Sequence, residues 1–166
     1  MSWPATEALP TLFGMEQLRN LAIRLGLDEP VGADLPMAAA HALTRGVDSP
    51  TLRELAGLSK GQSREAVDLF RQAMDELGWP VPDRSAARLQ LMRDAAAKIL
   101  AGEGAPEALA HEIYWHACYS GLPELRQVGD RFLELYAGWG ATYIQAEEAV
   151  AAMKAAAQSF LREHPA

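Results

Sequence analysis

The stretch Ser63-Arg-Glu-Ala-Val-Asp-Leu-Phe-Arg-Gln-Ala-Met-Asp-Glu-Leu-Gly-Trp-Pro-Val-Pro-Asp83 decides the fold class. Val67, Phe70, Met74 and Leu77 recur at intervals of three, four and three, which sets four apolar side chains on one stripe of an α-helix. The run opens on Ser63 ahead of Arg64 and Glu65, and a serine there can accept a hydrogen bond from a first-turn amide. It closes on Gly78 followed by Trp79, the pattern of a left-handed glycine cap whose next residue folds back on the last turn. The segment Trp79-Pro80-Val81-Pro82-Asp83 then breaks the helix, because proline lacks an N–H and clashes with the preceding turn. One short stretch thus carries a start, a buried stripe, a stop and a break.

The same grammar repeats outward. Glycine followed at once by an apolar residue recurs at Gly26-Leu27, Gly46-Val47, Gly57-Leu58 and Gly121-Leu122. Asp34 before Leu35-Pro36 and Ser49 before Pro50 are start signals, and Pro106 and Pro123 suit first helical positions. Thr142 with Gln145 has the spacing of a capping box. These marks predict helices near 15–25, 35–45, 50–56, 63–77, 84–101, 106–120, 123–137 and 142–163. Further stripes are Leu89, Met92, Ala96 and Ile99, and Val150, Met153, Ala157 and Phe160. The nearest approach to a strand is Thr142-Tyr143-Ile144. The expected fold is therefore all-α: a compact bundle or short array of about seven to eight helices without significant sheet. Residues 1–166 read as a single all-α domain, in which the prolines allow two helical halves, 1–82 and 83–166, packed together. The likeness of Leu25–Pro30 to Leu77–Pro82 is explained by shared capping chemistry without a duplication.

Charge bounds the partners. The 166 residues carry 15 basic and 22 acidic side chains, a formal charge of −7. Residues 1–83 hold 7 basic and 12 acidic side chains, and residues 84–166 hold 8 and 10. Nucleic-acid affinity comes largely from cations that displace phosphate counterions, and neither half has an excess of them. No nucleic-acid or membrane partner is expected; a protein partner is, with a basic one suiting the overall acidity, and a homo-oligomer stays open. No apolar run reaches the length of a membrane span, and the first residues carry neither a basic segment nor an apolar export core, so a cytoplasmic location is expected. Cys118 is the single cysteine, which removes internal disulfides and multi-cysteine zinc sites.

Chemistry-bearing residues concentrate in His111-Glu112-Ile113-Tyr114-Trp115-His116-Ala117-Cys118-Tyr119. The two histidines are five apart, about 140° around a helix, so they cannot ligate one metal together. Glu107 with His111 and Glu112 with His116 are each one turn apart, and such a carboxylate would raise an imidazole pKa. Cys118, amid Ile113, Ala117 and Leu122, reads as a small buried hydrophobe. His164, three residues from the end in sequence order, reads as frayed. Seven of the twelve aromatics fall within residues 114–143. Trp139, flanked by Gly138 and Gly140, is either an exposed contact anchor or the plug of a helical hairpin. The candidate binding residues are Tyr114, Trp115, Tyr119, Trp139, His111, Glu112 and His116, with no catalytic residue, metal or cofactor assigned.

The stretch Ser49-Pro-Thr-Leu-Arg-Glu-Leu-Ala-Gly-Leu-Ser59, continuing to Asp75-Glu-Leu-Gly78, resembles helical proteins frequent in high-GC actinobacterial genomes. So does Ala101-Gly-Glu-Gly-Ala-Pro106 with the Tyr-Trp-bearing helix at 111–119. The likeness spans about residues 15–136 and implies an all-α fold; that family has no assigned activity, so it carries over no site residue. Three functions compete. The first is a protein-binding module of immunity, inhibitor or adaptor type, rather than an enzyme. The second is a ligand-binding or catalytic helical pocket using His111, Glu112 and His116. The third is a helix-turn-helix-like regulator through residues 50–77, which the acids Glu65, Asp68, Asp75 and Glu76 of its second helix oppose.

Overall fold

The computed structural model describes residues 8–59, 61–139 and 146–165, with side chains from residue 14 onward. Eight helices and no strand occur among them: α1 (Ala8–Gly26), α2 (Leu35–Thr44), α3 (Pro50–Ala56), α4 (Ser63–Glu76), α5 (Arg84–Ala101), α6 (Pro106–Tyr119), α7 (Pro123–Gly138) and α8 (Ala146–Glu163). The protein is all-α. α1 starts earlier than its apolar spacing indicates, because Pro10 lies in the first turn, where no intrahelical N–H is needed. The Thr142–Gln145 capping box lies outside the described residues.

Two compact units divide the chain, Met1–Asp83 and Arg84–Ala166. In the first, Phe70 and Met74 of α4 are buried with Leu18 of α1, Leu35 of α2 and Leu52 and Leu55 of α3. In the second, Met92 and Ile99 of α5, Ile113 of α6, Phe132 of α7 and Met153 and Phe160 of α8 share a core. On α8 the inward position is Ala149, leaving Val150 half-buried at the edge of the stripe.

Not every glycine signal ends its helix as expected. Gly46, Gly78 and Gly121 take the left-handed conformation. Gly57 does not: its φ is −83°, and Leu58 N–H simply continues to Leu55 O. Gly26 is still helical, and the left-handed position falls two residues on, at Asp28 (φ 62°). There Asp28 N–H reaches Leu25 O and Glu29 N–H reaches Arg24 O, the paired bonds of a Schellman motif. The same pair closes α4, where Gly78 N–H reaches Asp75 O and Trp79 N–H reaches Met74 O. A Cβ at Gly78 would meet nothing within 4 Å, so substitution there isolates the backbone term. Gly78→Ala is expected to lower stability by about 1–2 kcal/mol, the penalty of a left-handed L-residue. Urea unfolding checks this, and an unchanged midpoint would contradict it.

The starts also split. Ser49 caps α3 by accepting from Leu52 N–H at 3.1 Å. Asp34 and Ser63 do not cap: Asp34 is helical in backbone with no side-chain cap bond, and Ser63 is the first residue of α4, after Gln62. α3 gains a second cap that no local pattern announces. Glu76, at the end of α4, accepts from Thr51 N–H at 3.2 Å and from the Thr51 hydroxyl. A carboxylate at a helix N-terminus also meets the positive end of its dipole. Bonds from Thr51 first, then Ser49, hold the Glu76 carboxyl below its ordinary 4.5. A carboxylate depressed in the fold contributes stability above the unfolded value and loses it as pH falls through the folded one. Glu76→Gln should therefore flatten the acid side of the stability profile below about pH 4.5, measured by urea midpoints across pH. An acid limb identical to wild type would reject this.

In the second unit the C-terminal residues are tied down rather than frayed. Arg93 of α5 donates from Nε to His164 O at 2.9 Å and from Nη2 to Pro165 O. The His164 ring packs against Phe160 at 5.1 Å.

Candidate functional site

α6 buries Leu109, Ala110, Ile113 and Ala117 and so turns its polar and aromatic residues outward. The candidates fall into two groups on either side of that buried stripe. Towards α7, the His111 ring packs on Tyr136 at 5.0 Å and on Tyr114 at 6.1 Å. Tyr114 is half-buried, and the neighbouring Cys118 thiol, chiefly by hydrogen bonding, pushes its phenol above the ordinary value. Cys118 itself is exposed, contrary to its reading as a core residue: Ala117 takes the inward position, and the helix turns the next residue out.

Towards α5, the Trp115 and Tyr119 rings pack against each other with centroids 4.5 Å apart and planes tilted by 48°, although each leaves about half its surface exposed (49% and 53%). Arg88 of α5 lies over the Tyr119 ring, 5.5 Å from its centroid, at cation–π distance. Its Nη1 is 3.2 Å from His116 Nδ1. A guanidinium only donates, so Nδ1 accepts and the neutral ring carries its proton on Nε2. That nitrogen is 4.0 Å from Glu112 Oε1.

The carboxylate one turn away does not raise the His116 pKa as spacing suggests. Burial, and then the Arg88 charge, push it below 6.5. This matters chemically. With its one lone pair engaged by Arg88, the His116 ring has none left to take a proton from a substrate. His111 lies in the other group. A cleft of about 670 Å³ between α7 and α8, lined by Val128, Phe132 and Phe160 with Arg131, Glu163 and His164 among its polar residues, contains none of His111, Glu112 and His116. Among the described residues no three His, Cys, Asp or Glu side chains are grouped to hold a metal. The arrangement on α6 suits recognition by surface contact better than acid–base chemistry.

Trp139 belongs to neither group. It follows α7 directly, with its N–H bonded to Tyr136 O, and packs half-buried against the second core. Arg88 was not singled out by spacing. Its one sequence signal is Arg84 a turn earlier on α5, which does not reveal that a histidine and a tyrosine of another helix meet it.

Comparison with protein families, with curated proteins and with solved structures returns no match. The resemblance drawn from residues 49–78 and 101–119 therefore gains no family from them. No helix among the described residues is long and apolar enough to cross a membrane.

Proposed function

We propose that this chain is a small protein-binding module, of immunity, inhibitor or adaptor type, that docks through the α5–α6 face of its second unit. The observation that carries the reading is the Trp115–Tyr119 ring pair, half-exposed and topped by Arg88. Trp, Tyr and Arg are the residue types that dominate binding hot spots, because they bring large contact area at little rotamer entropy or a forked donor. Action in the cytoplasm fits the exposed free thiol of Cys118, which a reducing compartment preserves.

The test is affinity capture from host lysate with wild-type protein, Trp115→Ala and Tyr119→Ala. Each variant is checked by thermal melting, since both side chains are half-exposed and their loss should leave the fold intact. Expected is a protein retained by wild type and lost by both variants. Equal recovery on all three would remove this face as the docking surface. Trp139→Ala serves as the contrast, because it should lower stability rather than selectively remove the partner.

A further inference from the structure

We infer that the α5–α6 face receives an acidic peptide segment of the partner, with a carboxylate on Arg88 and an apolar side chain over Trp115 and Tyr119. This rests on the docking reading above and reverses the expectation of a basic partner drawn from the whole-chain charge. The charge is unevenly spread: residues 1–83 carry −5, residues 84–166 only −2. Among the described residues Arg88 makes no ion pair with a carboxylate. It touches a neutral imidazole and a tyrosine face, and burial first, then the cation Arg84 one turn away, push its pKa down.

A guanidinium offers five N–H donors. His116 takes one at Nη1, and Arg88 Nε is sealed from solvent with no hydrogen-bond partner among the described residues, so it is the Nη end of the guanidinium that can meet a partner. A half-buried cation with surplus donors is matched best by a carboxylate, which accepts two parallel N–H bonds from that fork. Glu112 cannot serve from its observed position, since it approaches the far nitrogen of His116 instead. The flanking aromatic rings add apolar area beside the charge, so the fitting segment alternates acidic and apolar residues. A short segment that brings one or two carboxylates fits better than a long polyanion, because a chain of net charge −7 repels each further anionic charge.

A random-peptide display library selected on the full immobilised chain tests this, with Arg88→Gln, Trp115→Ala and Tyr119→Ala as parallel baits. Expected are net-acidic peptides with aromatic or aliphatic residues, bound to wild type more weakly as salt rises. Arg88→Gln should weaken them on the order of tenfold and Arg88→Lys by less, as expected for loss of a charged fork. Should Arg88→Gln prove unstable on melting, the salt dependence on wild type and the composition of the selected peptides still decide. Neutral or basic peptides that depend on Trp115 and Tyr119 would overturn the acidic segment and leave the docking face standing. Peptides indifferent to Trp115 and Tyr119 would overturn the docking face itself. A single-stranded oligonucleotide that competes for the same face would also overturn the inference.

Discussion

Phe70→Ala is expected to lower stability by about 3–5 kcal/mol, the range for removing a buried aromatic ring. The ring is fully buried, on the stripe where α4 meets the core of the first unit, beside Leu52 and Leu55 of α3 and Met74. Deleting it removes both its transfer free energy and its packing contacts, and a close-packed interior refills such a void only in part. Because domains are stable by only about 5–15 kcal/mol, this one change should consume a large share of the total. Urea unfolding reads the loss, and amide exchange reports whether protection falls across α1–α4. Val67→Ala on the same helix is the control. Val67 is only half-buried, so its loss should be clearly smaller. Equal losses at the two positions would mean that the stripe does not face a core.

Phe70 shows why much of this fold is legible in its sequence. Helical period, proline breaks and glycine stops are local, and each acts through its own neighbours in the chain. Failures occur where a cap or a contact is set by geometry further away. Gly26 looks like a stop, yet it is the last helical residue of α1 and the left-handed turn comes two residues on at Asp28, whose short polar side chain tolerates that region better than most. Gly102 was missed because the hydrophilic Glu103 follows it, although it too is left-handed and Glu103 N–H closes the turn onto Lys98 O. Glu76 caps α3 from the end of another helix, which no window around Ser49 contains. The candidate site divides in the same way. Composition located the aromatic cluster, and helical spacing separated His111 from His116. The placement of Arg88 against His116 and Tyr119, and of Trp139 against the core, depends on how helices pack. Spacing therefore grouped the candidate residues but did not show which side chains of other helices they pack against.

Gly129→Ala is expected to destabilise the protein although general helix propensity predicts the opposite. Within an exposed helix interior, replacing glycine with alanine gains about 1 kcal/mol. Gly129 lies mid-way along α7 and is buried against α6, where a Cβ would sit 2.7 Å from the Ala117 Cβ. Neither of those atoms has a rotamer to yield, so the helices themselves must move. Overpacking of this kind costs about 1–3 kcal/mol. Gly129→Leu should exceed that range, because the longer side chain must also displace the backbone of Tyr114, whose carbonyl lies 3.6 Å from the same Cβ. The decisive comparison is Gly129→Ala with Ala117→Gly in one chain. Removing the opposing methyl should restore much of the loss, beyond the sum of the single changes, since residues in contact do not add independently. Simple additivity, or a stabilising single Gly129→Ala, would show that α6 and α7 are held apart by something other than these two positions. The same variants bear on function, because α6 presents Trp115 and Tyr119 on its outer face while Ala117 anchors its inner one. If the proposed docking face is right, a shift forced at Gly129 should weaken partner capture without touching Arg88, Trp115 or Tyr119.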